Sequence, residues 1–90
     1  MKYILDENVV EYIDEETKKI YLVNPQNNEI LEMNDTAEMI IAYVKMQYEV
    51  EKIVTAMQEK FVDASKEEIK KDIDIFFKEA MEHHICIYSD

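Results

Sequence analysis

The hydrophobic pattern of this chain changes its period at Asn34. From Asn28 to Met33 apolar and polar positions alternate as on a strand, and from Asp35 onward Ala37, Ile40, Ile41 and Val44 recur at helical intervals. Before the change, Val9 to Asp14 and Lys19 to Asn24 are short β-branched and aromatic runs joined by Glu15-Glu16-Thr17-Lys18, a connection of hairpin length. Asn24-Pro25-Gln26-Asn27-Asn28 reads as a turn, because proline fixes one φ angle and asparagine tolerates positive φ in a chain without glycine. The third predicted strand is Glu29 to Met33, with Leu31 and Met33 facing the core and Ile30 and Glu32 on the opposite face.

Either Asn34 or Asp35 suits the cap of the first helix, and Glu38 stands three residues after Asp35 as in a capping box. A second helix is written in Val50, Ile53, Val54, Met57 and Phe61. A third starts at Ser65, whose capping box closes with Glu68, and runs through Ile69, Ile73, Phe76, Phe77 and Ala80. Met46-Gln47-Tyr48, between the first two helices, holds neither a strong cap nor a glycine. Ile85 to Tyr88 is expected to lie back on the sheet as a short extended end. Strands first and helices afterwards predict an α+β domain, a three-stranded antiparallel sheet followed by three helices packed on one of its faces.

The length suits one domain over residues 1–90, with its core at about 9–87, and 48% hydrophobic residues separate it from disordered chains. No apolar run approaches the roughly 18 residues of a membrane span, and Met1 to Asp6 is too short and too soon acidic for a signal peptide. A cytoplasmic protein is expected, and the single cysteine, Cys86, agrees with a reducing compartment. The net charge of -11 is spread along the chain rather than gathered in a tail. Such a surface repels phosphate backbones and anionic lipid, so neither nucleic acid nor membrane is an expected partner. It also serves plain solubility.

Few residues offer chemistry. His83, His84 and Cys86 invite a metal reading, but neighbouring histidines at a helix end do not converge on one ion, and no second Cys or His lies elsewhere. They read better as cations at a helix C-terminus. No nucleophile-base arrangement and no phosphate-cradling glycine loop is present, so no cofactor and no enzymatic activity is expected. What the pattern does leave is an edge. A three-stranded meander exposes two rows of unpaired backbone groups, and Glu29 to Met33 carries no Pro or Lys to blunt its row. An extended peptide can add there as a further strand, with its side-chain pockets in the groove between the third strand and the third helix.

LVNPQNNEILEMNDTAEMI, followed by VEKIVTAMQEKFVDASKEEIKKDIDIFFKEAMEHHI, resembles the PqqD-like family of leader-peptide recognition domains from ribosomally made, modified peptide pathways. The signature is MNDTA at residues 33–37, the turn from strand into helix, together with the apolar spacing of 50–61 and EEIKKDIDIFF. The Asp-Gly pair usual for the family between its first two helices is replaced by Lys45 to Tyr48. The resemblance implies a winged-helix-like fold that binds a precursor's leader peptide as an added strand and presents it to a modifying enzyme: a radical SAM enzyme, a cyclase or a peptidase. The expected contacts are Glu29, Ile30, Leu31, Glu32 and Met33 on the strand and Ile69, Asp72, Ile73 and Phe76 on the helix. Ile75 falls off the helical stripe and suggests contact with a partner enzyme or a second copy.

Two other readings stand beside this one. A winged-helix transcriptional regulator shares the architecture, although Glu67, Glu68, Asp72 and Asp74 make its third helix a poor match for phosphates. An acidic scaffold subunit would bind its partner by helix packing and leave the edge idle. The same open edge can also pair with its own copy, which leaves a homodimer open. If the acidic surface helps recruit a leader rich in Lys or Arg, the dissociation constant rises between low and high salt; equal values at the two salts reject that contribution.

Overall fold

A computed structural model of the chain describes residues 2–89. Its elements are β1 (Lys2–Leu5), β2 (Val10–Ile13), β3 (Ile20–Asn24), β4 (Glu29–Met33), α1 (Asp35–Lys45), α2 (Val50–Lys60), α3 (Lys66–Glu82) and β5 (Cys86–Ser89). The three strands predicted from the pattern are β2, β3 and β4, antiparallel in that order, with Leu22 opposite Leu31 and Ile20 opposite Met33. Leu22, Leu31 and Met33 face inward and are buried with Ile40, Ile41 and Val44 of α1 and Ile53, Val54 and Met57 of α2. Ile30 stands on the opposite face and is 59% exposed. The period-two alternation of β4 is the division between core and solvent.

Helix starts follow the expected caps. Asn34 is the N-cap of α1, its Oδ1 accepting from the Ala37 amide at 2.8 Å, and Glu38 lies in the first turn, where its charge suits the helix dipole. At α3 Ser65 caps the helix, its Oγ accepting from the Glu68 amide and its hydroxyl donating to Glu68 Oε1, each at 3.2 Å, so the Glu68 side chain meets the cap's hydroxyl rather than its backbone N–H.

The end of α1, where the sequence holds no obvious stop, is a Schellman motif. Tyr48 N–H donates to the Tyr43 carbonyl and Gln47 N–H to that of Val44, while Gln47 takes a left-handed φ of 63°. The hydrophobic contact that accompanies this motif is a stack of Tyr43 on Tyr48, ring centroids 5.3 Å apart. Lys52 then lies 4.1 Å over the Tyr48 ring. α3 ends the same way: Ile85 N–H reaches the Ala80 carbonyl, His84 N–H that of Met81, and His84 has φ 56°. In a chain without glycine, Gln47 and His84 occupy positions that glycine usually fills.

The terminal strand departs from expectation. Instead of lying back on the main sheet, β5 pairs antiparallel with β1 in a separate two-stranded sheet, Leu5 opposite Cys86 and Lys2 opposite Ser89. The left-handed turn at His84 reverses the chain after α3, and Asp6 N–H captures the Ile85 carbonyl at 2.9 Å. Tyr3 stacks flat on Phe77 at 4.0 Å and meets Tyr88 edge-on, which ties the β1-β5 pair to α3, while the β1 backbone runs beside α1. Four residues of β1 carry no pattern strong enough to announce this pairing; it depends on a partner from the other end of the chain.

Cys86 is buried, and burial pushes its thiol up to about 12. Tyr3 is raised also, chiefly by burial and then by the Asp74 carboxylate.

Gln47→Gly relieves the left-handed strain at the end of α1 and is expected to raise stability by about 0.5–1 kcal/mol, read as an upward shift of the urea midpoint with an unchanged slope. Cys86 is expected to resist a thiol-exchange reagent at pH 8 in the native protein and to react on unfolding. Because its folded pKa lies above the unfolded one, the stability from burying the neutral thiol is complete below about pH 9 and is lost as pH rises toward 12. Rapid native labelling at pH 8 would contradict this placement.

Candidate functional site

β4 has β3 on one side and no strand on the other. In an antiparallel strand, alternate residues turn their N–H and C=O groups away from the existing partner. Among the described residues no backbone hydrogen bond reaches β4 from the open side. The C-terminal strand β5 lies on β1 and leaves that margin open.

The open margin borders a groove of about 370 Å³. Leu31 and Glu32 form its strand wall; Asn34, Thr36, Ala37 and Ile40 line it from the turn and the start of α1; Asp72, Ile75, Phe76 and Glu79 form the opposite wall on α3. The MNDTA segment therefore has a local role and a positional one. Its asparagine starts α1 within a single turn of the strand, and that sharp entry brings Thr36 and Ala37 to the bottom of the groove.

Two contacts set where α3 lies against the strands. Asn24, fully buried, donates from Nδ2 to the His84 carbonyl at 2.7 Å, and its Oδ1 accepts from the Gln26 amide at 3.1 Å. His83 Nδ1 lies 2.6 Å from Oε2 of Glu29, the first residue of β4. Both contacts tie the C-terminal end of α3 to the hairpin that opens β4. Since Asp72, ten residues before Glu82, shares the groove with Leu31 and Glu32, α3 runs antiparallel alongside the strand.

The residues expected from sequence to form the site separate into three groups. Glu29, Ile30, Leu31, Glu32 and Met33 form the edge strand itself, although only Leu31 and Glu32 line the groove. Met33 lines a smaller cavity, about 220 Å³, with Ile20, Leu22 and Ile41. Asp72 and Phe76 stand on the groove wall. Ile69 and Ile73 do not: they are 4% and 0% exposed and belong to the core with Phe77 and Ala80. Successive helical residues are 100° apart, so the stripe 69-73-77-80 and the stripe 72-75-76-79 point about a quarter turn from each other. The first faces α2 and the sheet, and the second faces the groove. Ile75, set apart from the apolar stripe in the sequence, is thereby a wall residue, 54% exposed. Glu79 was not singled out from sequence; its i+7 relation to Asp72 and i+3 and i+4 relations to Phe76 and Ile75 are the signal that placed it.

The groove has a mixed lining: Leu31, Ala37, Ile40, Ile75 and Phe76 are apolar, and Glu32, Asn34, Thr36, Asp72 and Glu79 are polar or acidic. Glu32 is paired with Lys19 at 3.1 Å, and that hydrogen bond, with the Coulombic attraction behind it, raises the pKa of Lys19. No lysine or arginine lines the groove. Among the described residues no group of three His, Cys, Asp or Glu side chains gathers in a way that could hold a metal ion. His83 is engaged by Glu29 instead. No helix of the described residues is long and apolar enough to cross a membrane.

The family model described as Coenzyme PQQ synthesis protein D (PqqD) matches residues 19–85, from β3 to the end of α3. Among curated proteins none matches. The solved structure of TbiB1 in complex with the TbiA(beta) leader peptide matches with a TM-score of 0.80 at 16% identity, covering 100% of each chain. At that identity the likeness is one of fold.

Proposed function

The chain belongs to the PqqD family, and from that footing we propose that it is a non-catalytic peptide-binding module for the leader of a ribosomally made precursor peptide. The leader adds to β4 as a fourth strand of the β2-β3-β4 sheet. Glu29 to Met33 supply the backbone ladder, and Asp72, Ile75, Phe76 and Glu79 contact the side chains that face α3. Ile69 and Ile73 act from behind, as the buried support of that wall. The single observation that carries the reading is an unpaired strand edge lying beside a groove whose wall exposes Ile75 and Phe76. The TbiB1 fold, solved with a leader peptide, supports it by analogy.

The energetics favour a mixed mode. Four to six ladder hydrogen bonds contribute about 1 kcal/mol each, and ordering the peptide costs about as much per residue. The ladder alone therefore holds nothing. An apolar anchor burying roughly 80–100 Å² adds about 2–2.5 kcal/mol, so two anchors on a ladder that nets about zero reach roughly the millimolar range, and micromolar binding takes about four such contacts. Specificity then resides in the groove, and the strand edge supplies orientation.

The bound leader is delivered to a modifying enzyme, for which a radical SAM enzyme, a cyclase or a peptidase is suitable. The reading puts the module in the cytoplasm, where ribosomal precursors arise. Acids on α3 and the net negative charge disfavour the regulator reading, and a gel-shift assay with duplex DNA is expected to show no complex.

Titrating a leader, taken from a short reading frame beside the gene, into labelled protein is expected to move the Glu29 to Met33 amides. Phe76→Ala is expected to weaken binding about tenfold or more, whereas Tyr12→Ala, on the opposite edge strand, leaves it unchanged. Shifts confined to Val10 to Ile13, with Tyr12→Ala the damaging variant, would move the site to the other edge and overturn the assignment.

A further inference from the structure

Asp72, Ile75, Phe76 and Glu79 follow one another at i, i+3, i+4 and i+7, so they form a single stripe along the groove wall of α3. Its two carboxylates stand at the ends and its two apolar side chains between them. Seven residues of helix separate the acids by roughly 10 Å along the axis. Two acids on a helix would by themselves be a solvated face. Here the space between them is a groove lined by Ala37 and Ile40 as well as by Asn34 and Thr36, and bordered by an unpaired strand that runs along the helix.

A strand added to β4 has its own period. Residues i, i+2 and i+4 point to the same face, and i and i+4 lie about 13 Å apart. Those on the inner face meet α3. The middle residue then falls opposite Ile75 and Phe76, and the outer two fall near Asp72 and Glu79, within the flexible reach of a Lys or Arg stem. Glu32 already has Lys19 at 3.1 Å, whereas among the described residues the ion pairs include neither Asp72 nor Glu79.

We propose that the groove selects an extended segment of the form cation-x-apolar-x-cation: one aliphatic or aromatic side chain seated between Leu31 and Phe76, and a Lys or Arg two residues to either side, facing Asp72 and Glu79. This rests on β4 as the peptide edge and deepens it by naming the ligand's chemistry. The x positions point to the outer face of the sheet, beside exposed Ile30, and carry little specificity. The bracket of charge also fixes register. A two-residue slip moves one cation into the place of the apolar residue and leaves both acids unmatched, which is how a strand edge indifferent to sequence comes to accept its guest in one alignment.

The test uses the full chain and two sets of synthetic ten-residue peptides, Lys-x-Φ-x-Lys and Glu-x-Φ-x-Glu, with Φ as Leu, Ile, Phe or Tyr and x as Thr or Ser. The best lysine peptide is expected to bind about tenfold tighter than its glutamate counterpart in low salt. The double variant Asp72→Lys with Glu79→Lys is expected to reverse the order, which a merely unfolded variant cannot do. Equal affinities for the two sets, with both moving the Glu29 to Met33 amides, would overturn the charge bracket and leave the strand-addition reading standing. If no peptide of either set binds or moves those amides, while a leader encoded beside the gene does, the bracket fails alone. If that leader also leaves β4 untouched, both readings fall together.

Discussion

The 2.7 Å hydrogen bond from Nδ2 of the buried Asn24 to the His84 carbonyl is the contact on which the arrangement of strand and helix depends. It joins residues sixty apart in sequence, the last of β3 and the one at which the chain turns out of α3. A carbonyl in a left-handed helix ending has no helical partner, and a buried asparagine amide has no water. Each satisfies the other, and leaving either alone costs about 1–3 kcal/mol. Through Oδ1 the same asparagine orders the Gln26 amide and so the turn that starts β4. One side chain thus sets both the beginning of the edge strand and the position of the helix facing it.

That double constraint explains why a groove exists at all. Helix packing alone would allow α3 to rotate or slide until it covered β4, since both present apolar surface. Pinned at its C-terminal end by Asn24 and by the Glu29–His83 pair, and held by Ile69, Ile73 and Phe77 in the core, the helix turns a second stripe toward the strand without closing on it. Tyr3 and β5 pack on α3 from elsewhere and leave that stripe open. The Glu29–His83 pair is about one-third exposed, so its share of stability is small, at most about 1 kcal/mol; its contribution is to alignment.

The absence of glycine shapes the turns throughout. Lys18, Asn28, Gln47 and His84 all take left-handed φ angles, and only asparagine does so readily. At Asn28 the conformation suits the residue. At Gln47 and His84 it is imposed by complete Schellman hydrogen bonding and by the contacts of Tyr43 with Tyr48 and of Ile85 near Ala80, both buried. The segment Lys45 to Tyr48 reverses the chain with a residue less suited to a left-handed φ than glycine, and packing of the two tyrosines offsets the strain.

What the sequence determined by itself was local and periodic. The β-branched and aromatic runs VVEYID and KIYLVN and the alternation in NEILEM set three strands, Asn34 and Ser65 set two helix starts, and the apolar stripes set the core, because each of these signals is read within a few residues of chain. The MNDTA turn and the spacing of α3 sufficed for the family as well. Tertiary structure alone decided the rest. The pairing of β1 with β5 depends on segments from opposite ends of the chain, and the end of α1 at Gln47 depends on a stack of two rings. Which of two adjacent stripes on α3 faces the groove depends on the angle at which the helix is docked. Sequence periodicity records that a helix has an apolar side; it carries no information about rotation of that side by a quarter turn, and that rotation put Ile75 and Glu79 in the groove wall and Ile69 and Ile73 in the core.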